Sequence, residues 1–261
     1  MEEIKKLVEI MARLRGEGGC PWDKQQTHAT LKPYLVEETY EVLEAIDTGS
    51  PEKLREELGD LLLQIVFHAQ IAREEGHFDL EGVARAINEK LIRRHPHVFG
   101  DRRVKGVDEV LVNWERLKED EYAEERSSAL AGVPSALPAL MRAQKLQAKA
   151  AKVGFDWPDL AGALSKLEEE LREFLAVLAE AEPDRGRLMD EFGDLLFALV
   201  NVARFLAIDA EEALRQTTEK FCRRFRHIEE AAHTRGRRLT EMELAEMDTF
   251  WEEAKKLEKN E

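Results

Sequence analysis

Turn-forming residues are scarce in this chain, which has only 8 prolines and 15 glycines in 261 residues. With Ala, Leu, Glu, Arg and Lys abundant, that scarcity leans away from strands and towards an all-α fold. Cysteine is nearly absent. Cys20 and Cys222 have no metal-like spacing, which sets aside a disulfide framework and a thiolate zinc site and suggests a reducing cytosol. No apolar run approaches membrane-spanning length, and the amphipathic, charged start "MEEIKKLVEIMARLRG" is not a signal peptide. These features predict a cytoplasmic protein with no membrane partner. Basic residues are outnumbered 39 to 54, a formal charge of −15, which argues against a general nucleic-acid binder. It leaves room for a nucleotide, which can arrive with magnesium.

What the chain does have is helical periodicity. Leu160, Leu164, Leu167, Leu171, Leu175 and Leu178 step by three or four, as do Leu188, Phe192, Leu195, Leu199 and Val202. Breaks fall at "GEGGCPWD", "DTGSP", "RRHPHVFGD", "SSALAGVPSALP" and "AEPDRG". Within "DTGSP", Ser50 is placed to cap a helix that has Pro51 at its first position.

The two halves read as copies. "EKLIRRHPH" (89–97) matches "EKFCRRFRH" (219–227), and "NWERLK" (113–118) matches "FWEEAK" (250–255). Offsets drift only slightly, from 130 for Lys90/Lys220 to 132 for Glu38/Glu170, 134 for Asp60/Asp194 and 137 for Trp114/Trp251. The expected organisation is a helical domain over 1–120, a linker over 121–137 and a second helical domain over 138–261.

Each copy gathers carboxylates in one pattern. "EETYE" and "ELGD" supply Glu38, Glu41, Glu57 and Asp60, and "EELRE" and "EFGD" supply Glu170, Glu173, Glu191 and Asp194. Like charges one turn apart on a helix repel by a few tenths of a kcal/mol. In an antiparallel hairpin, residues equidistant from the turn sit at one level. Glu170 with Asp194, and Glu173 with Glu191, are centred on residue 182 inside "AEPDRG"; the first-copy pairs are centred on 49 inside "DTGSP". A solvated acidic face accounts for one Glu-x-x-Glu, but two hairpins with mirrored spacing point to metal ligation. All-oxygen ligation suits magnesium or manganese rather than zinc.

"EELRE…EFGD" and "EETYE…ELGD" resemble the EExxE and ExxD motifs of the MazG family of nucleoside triphosphate pyrophosphohydrolases, and "GCPWDKQQTH", "RRHPHVFGD" and "VGFDW" resemble other segments of it. The resemblance runs over essentially the whole chain. It implies a tandem pair of all-α bundles, a homodimer, and magnesium-dependent hydrolysis of nucleoside triphosphates to monophosphate and pyrophosphate. By position in the motif, Glu169 is the candidate base. A narrower dUTP or dCTP pyrophosphatase, and a non-enzymatic helical scaffold, are the alternatives.

Candidate substrate contacts surround the acids. Lys220 and Arg224 are spaced i,i+4, as are Trp251 and Lys255, so each pair reaches one patch. Lys166 and Arg187 each precede a ligand candidate by one turn, and the Asn201 amide, two turns past Asp194, is placed to read a base or sugar edge. The first copy retains Lys90, Arg94, Trp114, Lys118 and Lys53 but has Tyr34 at the position of Lys166 and Phe67 at that of Asn201. The main activity is therefore expected in the second copy, with the first a weaker site or a structural, dimerising domain. His95 and His97 read as loop or interface residues.

Overall fold

A computed structural model describes residues 2–121 and 128–258. Among the described residues the protein is all-α, with twelve helices and no strand. The chain divides into two compact units, residues 1–123 and 124–261. Residues 122–127, within the expected linker, lie outside the described residues.

The first unit holds α1 (Glu2–Arg15), α2 (Pro21–Gln25), α3 (Lys32–Thr48), α4 (Pro51–Glu74), α5 (Leu80–Arg94), α6 (Pro96–Phe99) and α7 (Val107–Glu121). The second holds α8 (Ala139–Lys152), α9 (Leu160–Leu178), α10 (Arg185–Phe205), α11 (Ala210–Thr234) and α12 (Leu244–Leu257). The packing partners repeat. Hairpin α3–α4 is flanked by α1 and α5, with α7 on α5; hairpin α9–α10 is flanked by α8 and α11, with α12 on α11.

Local chemistry sets the hairpin turns. Gly49 ends α3 in the left-handed region at φ 65°, where a side chain would be strained, and the Ser50 hydroxyl accepts from Lys53 N at 3.3 Å to start α4. In the second hairpin Asp184 caps α10 by accepting from Arg187 N at 2.9 Å. Such a cap stabilises a helix by about 1 kcal/mol.

The buried cores differ between the units. In the first, Met11, Leu31, Val66, Phe67 and Ile71 pack together with Leu7, Val8, Leu62, Leu63 and Leu80. In the second, Ile228, Ala232, Met242 and Phe250 form a cluster with Phe225, Ala231, Leu239, Met247 and Trp251, held between α11 and α12. The hairpin itself leaves Leu171, Leu175, Leu178, Phe192 and Leu199 exposed. No helix among the described residues is long and apolar enough to cross a membrane.

Candidate active site

Helices α9 and α10 run antiparallel out of the 179–184 turn, so the acids of "EELRE" and "EFGD" meet across the pair. Glu170, Glu191 and Asp194 present carboxylate oxygens within 4.8 Å of one another. Glu170 is buried at 6% exposure, whereas Glu173, one turn further along α9, is exposed and stands outside this group. In the first unit Glu38, Glu41 and Glu57 form the corresponding group. Asp60 stands outside it but is close enough for its charge to act on Glu38 and Glu57.

The electrostatics of the two groups diverge. Lys166 Nζ lies 2.8 Å from Glu169 Oε1 and 2.6 Å from Glu170 Oε1. These contacts, to Glu169 first and Glu170 second, raise the lysine above its ordinary range, and the same lysine holds the Glu169 carboxyl below the usual carboxylate range. The first copy has Tyr34 there. Burial, then the charges of Asp60 and Glu41, raise Glu38; burial, then Glu41 and its acidic neighbours, raise Glu57. A side-chain hydrogen bond from the buried Gln64 partly opposes the rise at Glu38.

One lysine against Glu169, Glu170, Glu191 and Asp194 leaves a formal excess of three negative charges. A hard divalent cation fits that all-carboxylate donor set.

Beside the second-copy acids lies a cavity of about 630 Å³. Lys166, Glu170 and Asp194 line one part, and Leu146, Phe155, Trp157 and Phe197 supply apolar walls. Asn201, Asp156, Arg204 and Gln147 add polar groups. The Gln147 amide donates from Nε2 to the Phe197 carbonyl at 2.8 Å, while its Oε1 is buried without a partner. At the position matching Asn201, the first copy buries Phe67 at 4% exposure, with the Arg15 guanidinium 5.4 Å over its ring. Arg15 is held there by Glu74 and by the carbonyls of Asp23 and Gln26.

The cavity collects Lys166 and Asn201 from the expected substrate contacts, but not the rest. Arg187 pairs with Glu180 at 2.8 Å beside the hairpin turn. Arg224 lies on the α11–α12 surface, bonded to Glu258 at 2.7 Å and 5.4 Å over the Trp251 ring, which also meets Phe221. Lys255 pairs with Glu252 at 2.6 Å, and Lys220 is half-buried on α11 near Glu258, whose carboxyl Arg224 holds below the usual range. In the first copy Lys90 and Arg94 are partly buried, and Trp114 packs near His95 at 6.0 Å between ring centroids. His95 also contacts the Leu91 carbonyl at 2.7 Å. The Lys118 side chain lies outside the described residues.

Sequence reasoning had no role for Asp156, Arg204, Phe155 or Trp157. The one available signal was the "VGFDW" segment, which carries three of them.

Comparison with known proteins places the sequence beside named relatives. The family described as MazG nucleotide pyrophosphohydrolase domain matches twice, over residues 26–99 and 161–229, one match on each hairpin. The chain is 50% identical over 260 residues to a nucleoside triphosphate pyrophosphohydrolase of Escherichia coli (strain K12), covering 99% of each. It is 49% identical over 252 residues to the nucleoside triphosphate pyrophosphohydrolase/pyrophosphatase MazG of Thermotoga maritima, covering 97% of this chain and 95% of the relative. A nucleoside triphosphate pyrophosphohydrolase of Mycolicibacterium smegmatis is 37% identical over 196 residues, covering 69% of this chain and 60% of that one.

Proposed function

Because the chain belongs to the MazG nucleotide pyrophosphohydrolase family, we propose that it hydrolyses nucleoside triphosphates at the α-phosphorus, releasing nucleoside monophosphate and pyrophosphate, with the second copy as the main site. The observation that carries this reading is the cavity in which Lys166, Glu170 and Asp194 adjoin an aromatic wall. A phosphate chain and a base need those two environments side by side.

Glu170, Glu191 and Asp194 would hold magnesium or manganese, with Glu173 one turn away. A divalent ion bound there would screen phosphate charge and acidify water. The chain's own residues supply the rest. Lys166, tied to Glu169 and Glu170, is the cation nearest the acids and turns to the phosphate oxygens when substrate enters. Glu169, held ionised by that lysine, accepts the proton of the attacking water. The water oxygen bonds to the α-phosphorus as the bond from that phosphorus to the bridging oxygen breaks. Pyrophosphate leaves with the bridging oxygen. Phe155 and Trp157 give the base an apolar surface and keep water from it.

The enzyme acts as a cytoplasmic homodimer in this reading. The exposed leucines of α9 and α10 form a stripe that helices of a second copy would bury. The patch of Lys220, Arg224, Trp251 and Lys255, where Arg224 pairs with Glu258 and Lys255 with Glu252, would serve a substrate phosphate or base brought to it by assembly. The first copy, with Tyr34 and Phe67 in place of Lys166 and Asn201, acts mainly as a structural unit.

Incubation of the protein with ribo- and deoxynucleoside triphosphates and magnesium tests the proposal. Monophosphate with pyrophosphate is the expected product pair. Diphosphate with phosphate, or no hydrolysis, would overturn it, and turnover confined to dUTP or dCTP would narrow the substrate class.

A further inference from the structure

Each copy has a tryptophan shortly before its acidic hairpin, and the two are seated differently. In the second copy "VGFDW" leaves α8 through Gly154 at φ 87° and brings Trp157 to the start of α9. There Asp159 caps the helix by accepting from Gly162 N at 3.1 Å. A Cβ built on Gly162 would fall 3.1 Å from Trp157 Cε3, 3.2 Å from its Cβ and 3.3 Å from its Cδ2. Carbon atoms prefer about 3.5–4.0 Å, so the indole rests on bare α9 backbone that a side chain would deny it. In the first copy Thr27 and Thr30 stand 132 positions earlier, with Thr30 N donating to Thr27 Oγ1 at 3.3 Å. Thr30 carries a Cβ, and Trp22 lies edge-on to Tyr34 instead, with ring centroids 5.9 Å apart.

α10 supplies a second anchor. Arg204 donates from Nη2 to Asp156 Oδ1 in a short contact, and the same oxygen accepts from Trp157 N at 2.9 Å. The guanidinium is steadied by donating from Nε to Asn201 Oδ1 at 2.9 Å and by lying 4.5 Å from the Phe205 centroid. Trp157 is thus held through its ring by α9 and through its backbone by α10. It stays 44% exposed and lines the same cavity as Lys166. Lys166 follows Gly162 by four residues, one turn along the same face of α9. The aromatic wall and the cation therefore keep a separation set by one helix.

We propose that Gly162 is a positioning residue of the second-copy site: lacking a side chain, it seats Trp157 as the surface for the nucleotide base, with the Asp156–Arg204 pair as the second anchor of that seat. Glycine weakens a helix relative to alanine, and the Gly162 backbone is not in the left-handed region that would require it. The contact with Trp157 is what the glycine makes room for. This role rests on the pyrophosphohydrolase reading, in which Trp157 gives the base its apolar surface, and adds the residue that fixes that surface.

Steady-state pyrophosphate release from GTP, with magnesium and the full chain, tests it in Gly162→Thr, which brings in the residue that the first copy holds at this place. KM should rise roughly tenfold, the scale of one base–aromatic stack. kcat should change little, because a wall that touches only the base serves ground and transition state alike. Since Gly162 acts through Trp157, the same substitution should have no further effect in a Trp157→Leu background, where KM is already raised. Tripolyphosphate, which has no base, should inhibit wild type and Gly162→Thr equally. An unchanged KM in folded Gly162→Thr, the same rise on top of Trp157→Leu, or a parallel loss of tripolyphosphate inhibition would each overturn the inference. Asp156→Asn loosens the second anchor and leaves α9 untouched. It should raise KM in the same Trp157-dependent way, and it decides the matter if Gly162→Thr does not fold. Wild type would still release pyrophosphate in all these cases, so the pyrophosphohydrolase reading would survive. No pyrophosphate from wild type would sink that reading, and the inference with it.

Discussion

Lys166 Nζ sits 2.6 Å from Glu170 Oε1 at the edge of the second carboxylate group, and in the first copy the matching position is Tyr34. The two acidic groups also differ in membership, Glu41 joining the first and Asp194 the second. One has a built-in cation, and the other leaves Glu38 and Glu57 raised by burial and by each other's neighbours.

Glu38→Gln should stabilise the first unit at neutral pH when no divalent cation is present. Glu38 has a raised folded-state pKa, so the folded form disfavours its ionisation. Stability linked to this group is complete below the unfolded value, near 4.5, and is lost as pH rises through the folded one. The amide removes that loss. Thermal melts with chelator should show the variant above wild type at pH 7.5 and level with it near pH 4.5. A lower melting temperature at pH 7.5 would count against the electrostatic account.

Tyr34→Lys should act on the same strain from the other side. Tyr34 is 39% exposed, so a lysine can occupy the position without displacing a packed core. The new ammonium should lower the pKa values of the neighbouring carboxylates and raise the melting temperature at neutral pH. Surface ion pairs contribute about 1 kcal/mol or less, so a rise of only a few degrees is expected. Screening by high salt should remove it.

Phe67→Asn, by contrast, should not open a second nucleotide site. The ring is 4% exposed among Met11, Val66 and Ile71, beneath the Arg15 guanidinium. Deleting it and burying an amide there should cost roughly 3 kcal/mol or more. Denaturant unfolding should show the first unit destabilised. A stable Phe67→Asn variant with faster turnover would contradict the view that this copy is structural.

The two copies can also be compared by turnover. Asp194→Ala removes a member of the second group, and Asp60→Ala is the matching change in the first. A positioned metal ion supplies several kcal/mol of transition-state stabilisation, and each 1.36 kcal/mol is tenfold in rate. Asp194→Ala should therefore cost on the order of a hundredfold or more in pyrophosphate release, and Asp60→Ala far less, with circular dichroism confirming that both are folded. Equal losses would mean two cooperating sites.

The helical hairpins were legible in the sequence because leucine periodicity and the Ser50–Pro51 start signal are local. The carboxylates could be paired because their mirrored distance from a turn converts sequence position into height. That rule gives level but not direction. Glu173 shares a level with Glu191, yet it stands outside the group of Glu170, Glu191 and Asp194. The Arg204–Asn201–Asp156 array was not legible, because it depends on the path of an irregular loop. Nor was the place of Trp251, whose i,i+4 spacing with Lys255 is equally consistent with a cavity wall and with the α11–α12 core where it packs.

Isotope labelling tests the central claim most directly. The protein would be incubated with GTP and magnesium in ¹⁸O-enriched water, and both products would be weighed by mass spectrometry. Attack at the α-phosphorus predicts one heavy oxygen in the GMP phosphate and none in the pyrophosphate. Label in the pyrophosphate would place the attack at the β-phosphorus, and labelled inorganic phosphate beside GDP would place it at the γ-phosphorus; either result contradicts the account.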